Sequence, residues 1–514
     1  MWPDNLVQAT QLDTSIDDRA TVVIIGTGAG GPAAAWELAR QGVDVVMLEE
    51  GGFYPPEFYR DLGPLEAFRH LYRDFGMTTA IGKNPLRDPA VPFPLGKCVG
   101  GTTAVNSGTC FRTPESILEL WRREFGLPFT DEEMEPWFDL VEDVLAVEPV
   151  PDDVLGRNGE LFAAGAAALG WHGAPLRRNA RGCRGSGRCV FGCPTNAKRG
   201  TQLSYVPRAL MSGARLYSDV RAERIVRDGD RIVAVEGVIL DRETNQPKAP
   251  FRIACDQLIV AAGAVGTPAL LMRNGIQAGH PQMGRNLRLH PGIRVCADFD
   301  EPVRGWKGVP QGYYVDEFWK QRGIMFEGIF VPPGVALPIL PGVGDAMRQH
   351  FERYPNLAAF GAMVKDTSNG TVRPRGRTAT DIRYSLNDHD KTNLVDAVKK
   401  AAEAWFAAGA KRVYPAIYGH AVLNSPDDIR KIDPRRVRTQ HLEPMAFHPM
   451  GTVRMAADDK LGVLDADGRV RGLTNLRVAD ASIFPTCLGV NPMESIMAFA
   501  HRIANDLATE LLDG

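Results

Sequence analysis

Residues 21–51 read TVVIIGTGAGGPAAAWELARQGVDVVMLEEG, and this stretch decides the fold. Thr21–Ile25 is a β-branched apolar run of the kind a buried parallel strand requires. Gly26-x-Gly28-x-x-Gly31 follows at once and opens a predicted helix that runs to about Arg40. Pro32 suits the first helical turn, where a missing N–H removes no bond, and Gly42 suits the helix C-terminus. Val43–Leu48 is a second apolar strand, closed by Glu49 at the distance expected of a ribose-binding acid. In such a unit the first glycine permits a tight turn, the second lets backbone approach a pyrophosphate, and the third lets helix pack on strand. The helix N-terminus offers free N–H groups and a positive dipole end to phosphate, and an acid after the second strand accepts from ribose hydroxyls. Strand, turn, helix, strand and acid in this order specify a dinucleotide site. They do not choose between FAD and NAD.

Outside that unit, 514 residues leave room for two or more domains. A net charge of −3 gives no electrostatic case for nucleic acid or an anionic membrane. Asp4, Asp13, Asp17 and Asp18 crowd the first twenty residues, so no basic-then-apolar targeting pattern is present there. The apolar run Leu258–Met272 is broken by Gly263, Gly266 and Pro268, which argues against a membrane span. A cytoplasmic location is expected.

Residues 52–95, rich in proline and aromatics, read as a long covering loop. Gly100-Gly101-Thr102, with Asn106 four residues on, reads either as a second backbone contact to an extended cofactor or as a loop that only packs. Helices are predicted at Glu115–Phe125, Glu132–Val147, Asn393–Ala408 and Met493–Leu511. Strands are predicted at Arg231–Leu240, 257–263 (ending in Ala261-Ala262-Gly263) and Leu476–Asp480, with a turn at Asn286–Pro291. From about 300 to 390 the pattern is that of a covering sheet, with strands at Ile324–Val331 and Leu357–Lys365.

Six features in this order resemble the glucose–methanol–choline (GMC) oxidoreductases, FAD enzymes that oxidise alcohols. They are Gly26–Gly31 with Glu49; Gly100-Gly101-Thr102 with Asn106; IVAAGAVGTPALL at 259–271; Gly284-Arg285-Asn286-Leu287 followed by His290-Pro291; His448-Pro-Met-Gly-Thr452; and Asp480 with Asn491-Pro492. The resemblance runs nearly end to end. It implies an α/β (α+β overall) fold, with a Rossmann-type FAD-binding domain built from several segments and a sheet-and-helix substrate domain above the flavin. The implied FAD-binding segments are 20–115, 201–298 and 436–514; residues 116–200 would form a cap segment and 299–435 the substrate domain. By the same resemblance Glu49 holds the adenosine ribose and the Val220 backbone meets the adenine. Gly100–Asn106 follows the pyrophosphate and isoalloxazine, with Ala262 beside the cofactor, and Asp480 and the backbone near Pro492 reach the pyrophosphate and the flavin pyrimidine.

Alcohol oxidation by a flavin sends a proton from oxygen to a base and a hydride from carbon to flavin N5. The protein must supply the base and a polar group that fixes the oxygen. His448 is the candidate base, because neutral imidazole is the main form near neutral pH. Asn491 is its partner, able both to donate and to accept. His290 reads as structural and His441 as a weak candidate. A rise of kcat/KM around pH 6–7 is expected from an ordinary histidine. The rival readings are an NAD(P)-linked oxidoreductase, a non-oxidising flavoprotein of lyase type, and a non-catalytic electron-transfer subunit. The alcohol, whether sugar, sterol, long-chain or aromatic, is not legible, nor is the electron acceptor, be it oxygen, a quinone or a partner protein.

Cys183-x5-Cys189-x3-Cys193-Pro194 lies in a glycine- and arginine-rich loop. This spacing resembles the catalytic subunits of bacterial FAD sugar dehydrogenases, in which such cysteines ligate a [3Fe–4S] cluster. Iron–sulfur sites usually take four cysteines. The alternatives are a zinc site with His172, poorly spaced, a disulfide, or packing alone.

Overall fold

The computed structural model describes residues 3–330 and 340–513. Its centre is an eight-stranded sheet around Ile16–Ile25, which pairs in parallel with Val45–Leu48 on one side and Pro247–Val260 on the other. Arg215–Ser218 and Leu6–Gln8 continue the parallel array beyond Val45–Leu48. On the far side, Leu476–Val478 runs parallel to the last residues of Pro247–Val260, and Arg231–Leu240 and Val220–Asp228 extend the sheet antiparallel. Val22, Val23 and Ile24 are fully buried, as expected of a parallel strand covered by helices. Helix Gly30–Ala39 packs against Tyr205–Met211 and against the long helix Met493–Asp513.

The glycine turn explains why this helix sits so close to the sheet. A Cβ placed on Gly31 would lie 1.9 Å from the Gly26 carbonyl oxygen, and one on Gly30 would lie 1.8 Å from that of Ala479. Neither backbone oxygen can yield, so glycine is required at both positions.

A second, six-stranded antiparallel sheet runs in the order Arg412–Tyr414, Gly292–Asp298, Leu357–Val364, Ile324–Gly328, Tyr313–Val315, Gly173–Pro175. Strand alternation gives it two faces. Phe326, Phe360, Ala362 and Val364 pack with Phe162 and Trp405 of the backing helices Arg157–Ala168 and Asp388–Ala407. The Phe162 and Phe360 rings stack with centroids 3.9 Å apart, and truncating either would cost about 3–5 kcal/mol. Leu357, Ala359, Gly361 and Met363 face the other way, into a large cavity, and so does Glu327.

Two predicted loops carry more structure than expected. Residues 52–95 include helix Pro64–Leu71 and the strand pair Thr79–Ala80 with Val91–Pro92. Asn286–Pro291, read as a turn, overlaps strand Arg285–Leu287, whose partner is Gly370–Arg375. Both Asn286 (φ 61°) and His290 (φ 56°) are left-handed there. Of the strand predicted at Ile324–Val331, Ile324–Gly328 forms; Val331 lies outside the described residues. Among the described residues no helix is long and apolar enough to cross a membrane.

Candidate active site

One cavity of about 1330 Å³ connects the glycine turn with His448 and Asn491. Gly28, Glu49, Gly101, Thr102, Asn106, Val220, Ala262, Asp480 and Pro492 all line it. Gly26 turns with φ 106°, and a Cβ on Gly28 would meet no described protein atom within 4 Å. Gly28 is therefore not glycine for the sake of its own protein neighbours. It leaves bare backbone on the cavity wall, the cradle a pyrophosphate requires.

The carboxylate of Glu49 is buried and well bonded. One oxygen accepts from Thr27 N at 3.0 Å and Thr27 Oγ1 at 2.6 Å, and the other accepts from Gly51 N at 2.8 Å. Burial pushes its carboxyl above the usual range despite these donors. Glu49 thus also ties the glycine turn to the end of the second strand. Thr27 Oγ1 lies 3.2 Å from Gly100 N as well, which docks the Gly100–Asn106 segment on the same turn. Gly100 and Gly101 are left-handed, and a Cβ on Gly101 would meet Gly28 Cα at 2.8 Å. Thr102 Oγ1 accepts from Gly96 N and Asn106 Oδ1 accepts from Gly108 N. The Val220 N–H donates to the Glu49 carbonyl, so only other parts of Val220 are open to a ligand. Asp480 caps the turn Ala481–Ile483 and accepts from Ser482 N, Gly263 N and Thr267 Oγ1. Ala262 N donates to Thr267 Oγ1.

The end of the cavity around His448 is built from four strand and loop segments. Residues 445–450 are pinned by backbone bonds between Met445 and Gly292 and between Met450 and Arg288, which aims His448 inward. Asn491 sits in the bend before helix Met493–Asp513. Its Nδ2 lies 3.3 Å from Nε2 of His448 and 3.3 Å from Oε2 of Glu327. His290 Nδ1 lies 3.1 Å from His448 Nδ1, and His290 lines the same cavity. Glu327 Oε2 also accepts from Gln311 Nε2, and Gln311 Oε1 accepts from Thr109 Oγ1 at 3.0 Å. Asn491 Oδ1, Glu327 Oε1 and His290 Nε2 are buried without a hydrogen-bond partner among the described residues. Buried polar atoms of this kind in a cavity wall mark a ligand site.

Burial lowers the His448 pKa to about 4. His290 is held well below 6.5 by burial and by His448. Burial raises Glu327 to about 7 against the opposing bonds from Asn491 and Gln311. Sequence reasoning missed Glu327, Gln311 and Thr109. A faint signal existed: Glu327 is the one charge in an apolar strand, Ile324–Gly328. His441 lies elsewhere, with its ring nitrogen accepting from Arg438.

Cys183, Cys189 and Cys193 come together around a cavity of about 10 Å³, with Arg178 and Lys198. That is the space of a single water, not of an iron–sulfur cluster. No group of three His, Cys, Asp or Glu side chains among the described residues is arranged to hold a metal ion. The iron–sulfur reading of these three cysteines does not fit their arrangement, and all eight cysteines of the chain are free thiols. Cys189 Sγ accepts from Arg178 Nη2 at 3.2 Å, and Cys193 Sγ accepts from Lys198 N at 3.4 Å. Lys198 Nζ in turn donates to the carbonyls of Thr103 and Ala104, so the loop braces the Gly100–Asn106 segment.

The GMC oxidoreductase family profiles match residues 47–292 and 366–500. The chain belongs to the GMC oxidoreductase family. A GMC-type oxidoreductase of Mycobacterium tuberculosis is 42% identical over 496 residues, covering 96% of this chain and 76% of its own. The long-chain-alcohol oxidase FAO1 of Arabidopsis thaliana is 28% identical, covering 95% of this chain and 66% of its own. Among solved structures, pyridoxine 4-oxidase from Mesorbium loti shares the fold with a TM-score of 0.72 at 20% identity, over 95% of this chain and 99% of that one. A variant of Aspergillus oryzae formate oxidase matches with a TM-score of 0.73 at 15% identity, over 97% and 100%.

Proposed function

We propose that this chain binds FAD in the long cavity and oxidises an apolar alcohol to the carbonyl, with His448 as the base. The observation that carries the reading is the pair His448 Nε2 and Asn491 Nδ2, 3.3 Å apart, on the wall of the cavity that also contains the bare Gly28 turn. FAD, when bound, supplies the hydride acceptor. Gly28, Glu49, Gly101, Asp480 and the backbone at Pro492 are the residues that would hold it. His448 stays neutral at cellular pH, since burial disfavours its charged form. A substrate hydroxyl donates its proton to Nε2, and Asn491 Nδ2 donates to the same oxygen. In this tautomer His448 Nδ1–H donates to His290 Nδ1, a bond that fixes the ring and eases the charge it gains.

An apolar substrate is favoured by Ile329, Phe330, Leu340, Leu357 and Met363 on the cavity wall and by relatives named long-chain-alcohol oxidases. The FAD-binding part would comprise 20–115, 201–298 and 436–514, with 116–200 and 299–435 around the substrate.

The test is acid-released flavin per chain, then anaerobic bleaching of the flavin band by a series of alkanols. About one flavin, bleached by one equivalent of alcohol, is expected. A flavin-free protein, or a flavin that no alcohol reduces, would overturn the proposal. His448→Ala should keep its flavin and lose about 10²–10⁴ in turnover.

A further inference from the structure

Glu327 is the buried acid nearest the reacting pair, yet nothing in the reaction above uses it. Its strand puts Phe326 into the core and turns Glu327 to the cavity. Across the sheet it is paired with Tyr314 and Gly361, and beyond Asn491 lie His448 and His290. The Gln311 amide nitrogen donates to Glu327, and its carbonyl oxygen accepts from the Thr109 hydroxyl. Oε2 therefore accepts from two amides, and any proton on Glu327 sits on Oε1. A carboxylate oxygen that accepts must face the nitrogen of Asn491, never its oxygen. One N–H of Asn491 is thereby committed to Glu327, and the other points to His448 Nε2, where the alcohol oxygen must enter.

We infer that Glu327 is a positioning residue for the oxidation: by accepting from Asn491 Nδ2 it aims the second N–H of that amide at the substrate oxygen. The inference rests on the reading of His448 and Asn491 as the reacting pair. Freed from Glu327, the amide can rotate or flip, and the oxygen loses its donor at the moment charge develops on it. Ionised Glu327 accepts from Asn491 more strongly than its protonated form does, since a hydrogen bond to a charged acceptor is the stronger. Turnover should therefore rise with pH as Glu327, raised to about 7 by burial, loses its proton.

The experiment is a double-mutant cycle on flavin-loaded enzyme with Glu327→Ala, Asn491→Ala and the pair, alongside Glu327→Gln. Glu327→Ala should lower kcat about tenfold with little change in KM, and in the Asn491→Ala background it should change kcat by less than about twofold. Glu327→Gln keeps the acceptor and the volume. It should show, at every pH, about the kcat that the parent shows while Glu327 is protonated, and so lose the rise near pH 7. Additive effects in the cycle, or a rise near pH 7 that survives in Glu327→Gln, would overturn the inference. Should Glu327→Ala fail to fold, the pH profile of Glu327→Gln decides. Full activity in His448→Ala would instead sink the underlying assignment of the base, so the two failures are distinguishable.

Discussion

Nδ1 of His290 faces Nδ1 of His448 at 3.1 Å, and only one proton can lie between them. With His448 Nε2 kept free to accept, that proton belongs to His448, and His290 carries its own on Nε2. His290 is held in a left-handed backbone conformation and its backbone N–H donates to Asp366 Oδ1 at 3.2 Å. A non-glycine residue kept at positive φ stores strain that its surroundings must over-determine. His290→Ala should retain flavin and lose at least about tenfold in kcat, through loss of the tautomer-fixing partner. Steady-state kinetics with flavin content measured in parallel checks this; an unchanged kcat would return His290 to a structural role.

The acid limb of the rate profile follows from burial of His448. On the proposed reading, protonation of His448 removes the base, and burial lowers its pKa to about 4. In Glu327→Gln, which lacks the rise near pH 7, kcat/KM should drop through that value as pH falls, well below the 6–7 of an exposed imidazole. Measurement between pH 3.5 and 6, with enzyme stability controlled by reassay at pH 7, tests the shift. An acid limb centred above 6 in Glu327→Gln would contradict it.

Gly28 and Gly31 make a paired prediction. Gly28→Ala adds a methyl to open space, so the flavin-free protein should melt within about 1–2 °C of the parent, as an isolated surface change would. Flavin affinity, read by fluorescence quenching on titration, should fall at least about tenfold because the methyl occupies the pyrophosphate cradle. Gly31→Ala drives a methyl to 1.9 Å from the Gly26 oxygen and should destabilise by several kcal/mol, on the order of other overpacked sites. Equal melting temperatures for the two variants would refute the assignment.

For the cysteine loop, iron and acid-labile sulfide measured on anaerobically purified protein should fall well short of one cluster per chain. Serine at Cys183, Cys189 and Cys193 together should leave flavin reduction by alcohol intact. About three irons per chain would reverse the conclusion drawn from the size of the cavity.

The sequence carried the parts whose logic is local. The strand–glycine–helix–strand unit is contiguous, so its hydrophobic period and its glycines spell out the turn without help from elsewhere. His448 and Asn491 were legible because each stands in a recognisable motif. Glu327 was not, because its meaning arises only when a strand near 327 is laid beside one near 361 and below a bend at 491. The turn predicted at Asn286–Pro291 failed for the same reason: Arg285–Leu287 forms a strand only because Gly370–Arg375 comes to pair with it. The cysteines looked like ligands by spacing, but spacing does not report the room left between them. Asp480 and Glu49, expected to hold the cofactor, line the cavity, and their many internal bonds to Thr27, Gly51, Ser482 and Gly263 depend on contacts across the whole sheet.

The alternation along Leu357–Val364 separates two tasks that most enzymes entangle. Positions 358, 360, 362 and 364 pack in the Phe162–Trp405 core, and positions 357, 359, 361 and 363 line the cavity, where Leu357, Ala359 and Met363 also join neighbouring apolar clusters. Substitutions at 357, 359, 361 and 363 can therefore diversify what the enzyme accepts while the packed face against Trp405 stays untouched. Gly361 is the freest of these, since a methyl there would meet the Glu327 carbonyl oxygen at 3.5 Å and Ile329 Cγ2 at 3.8 Å, both ordinary contacts. A laboratory library confined to those four codons would therefore vary one wall of the cavity and leave the opposite face of the same strand unaltered.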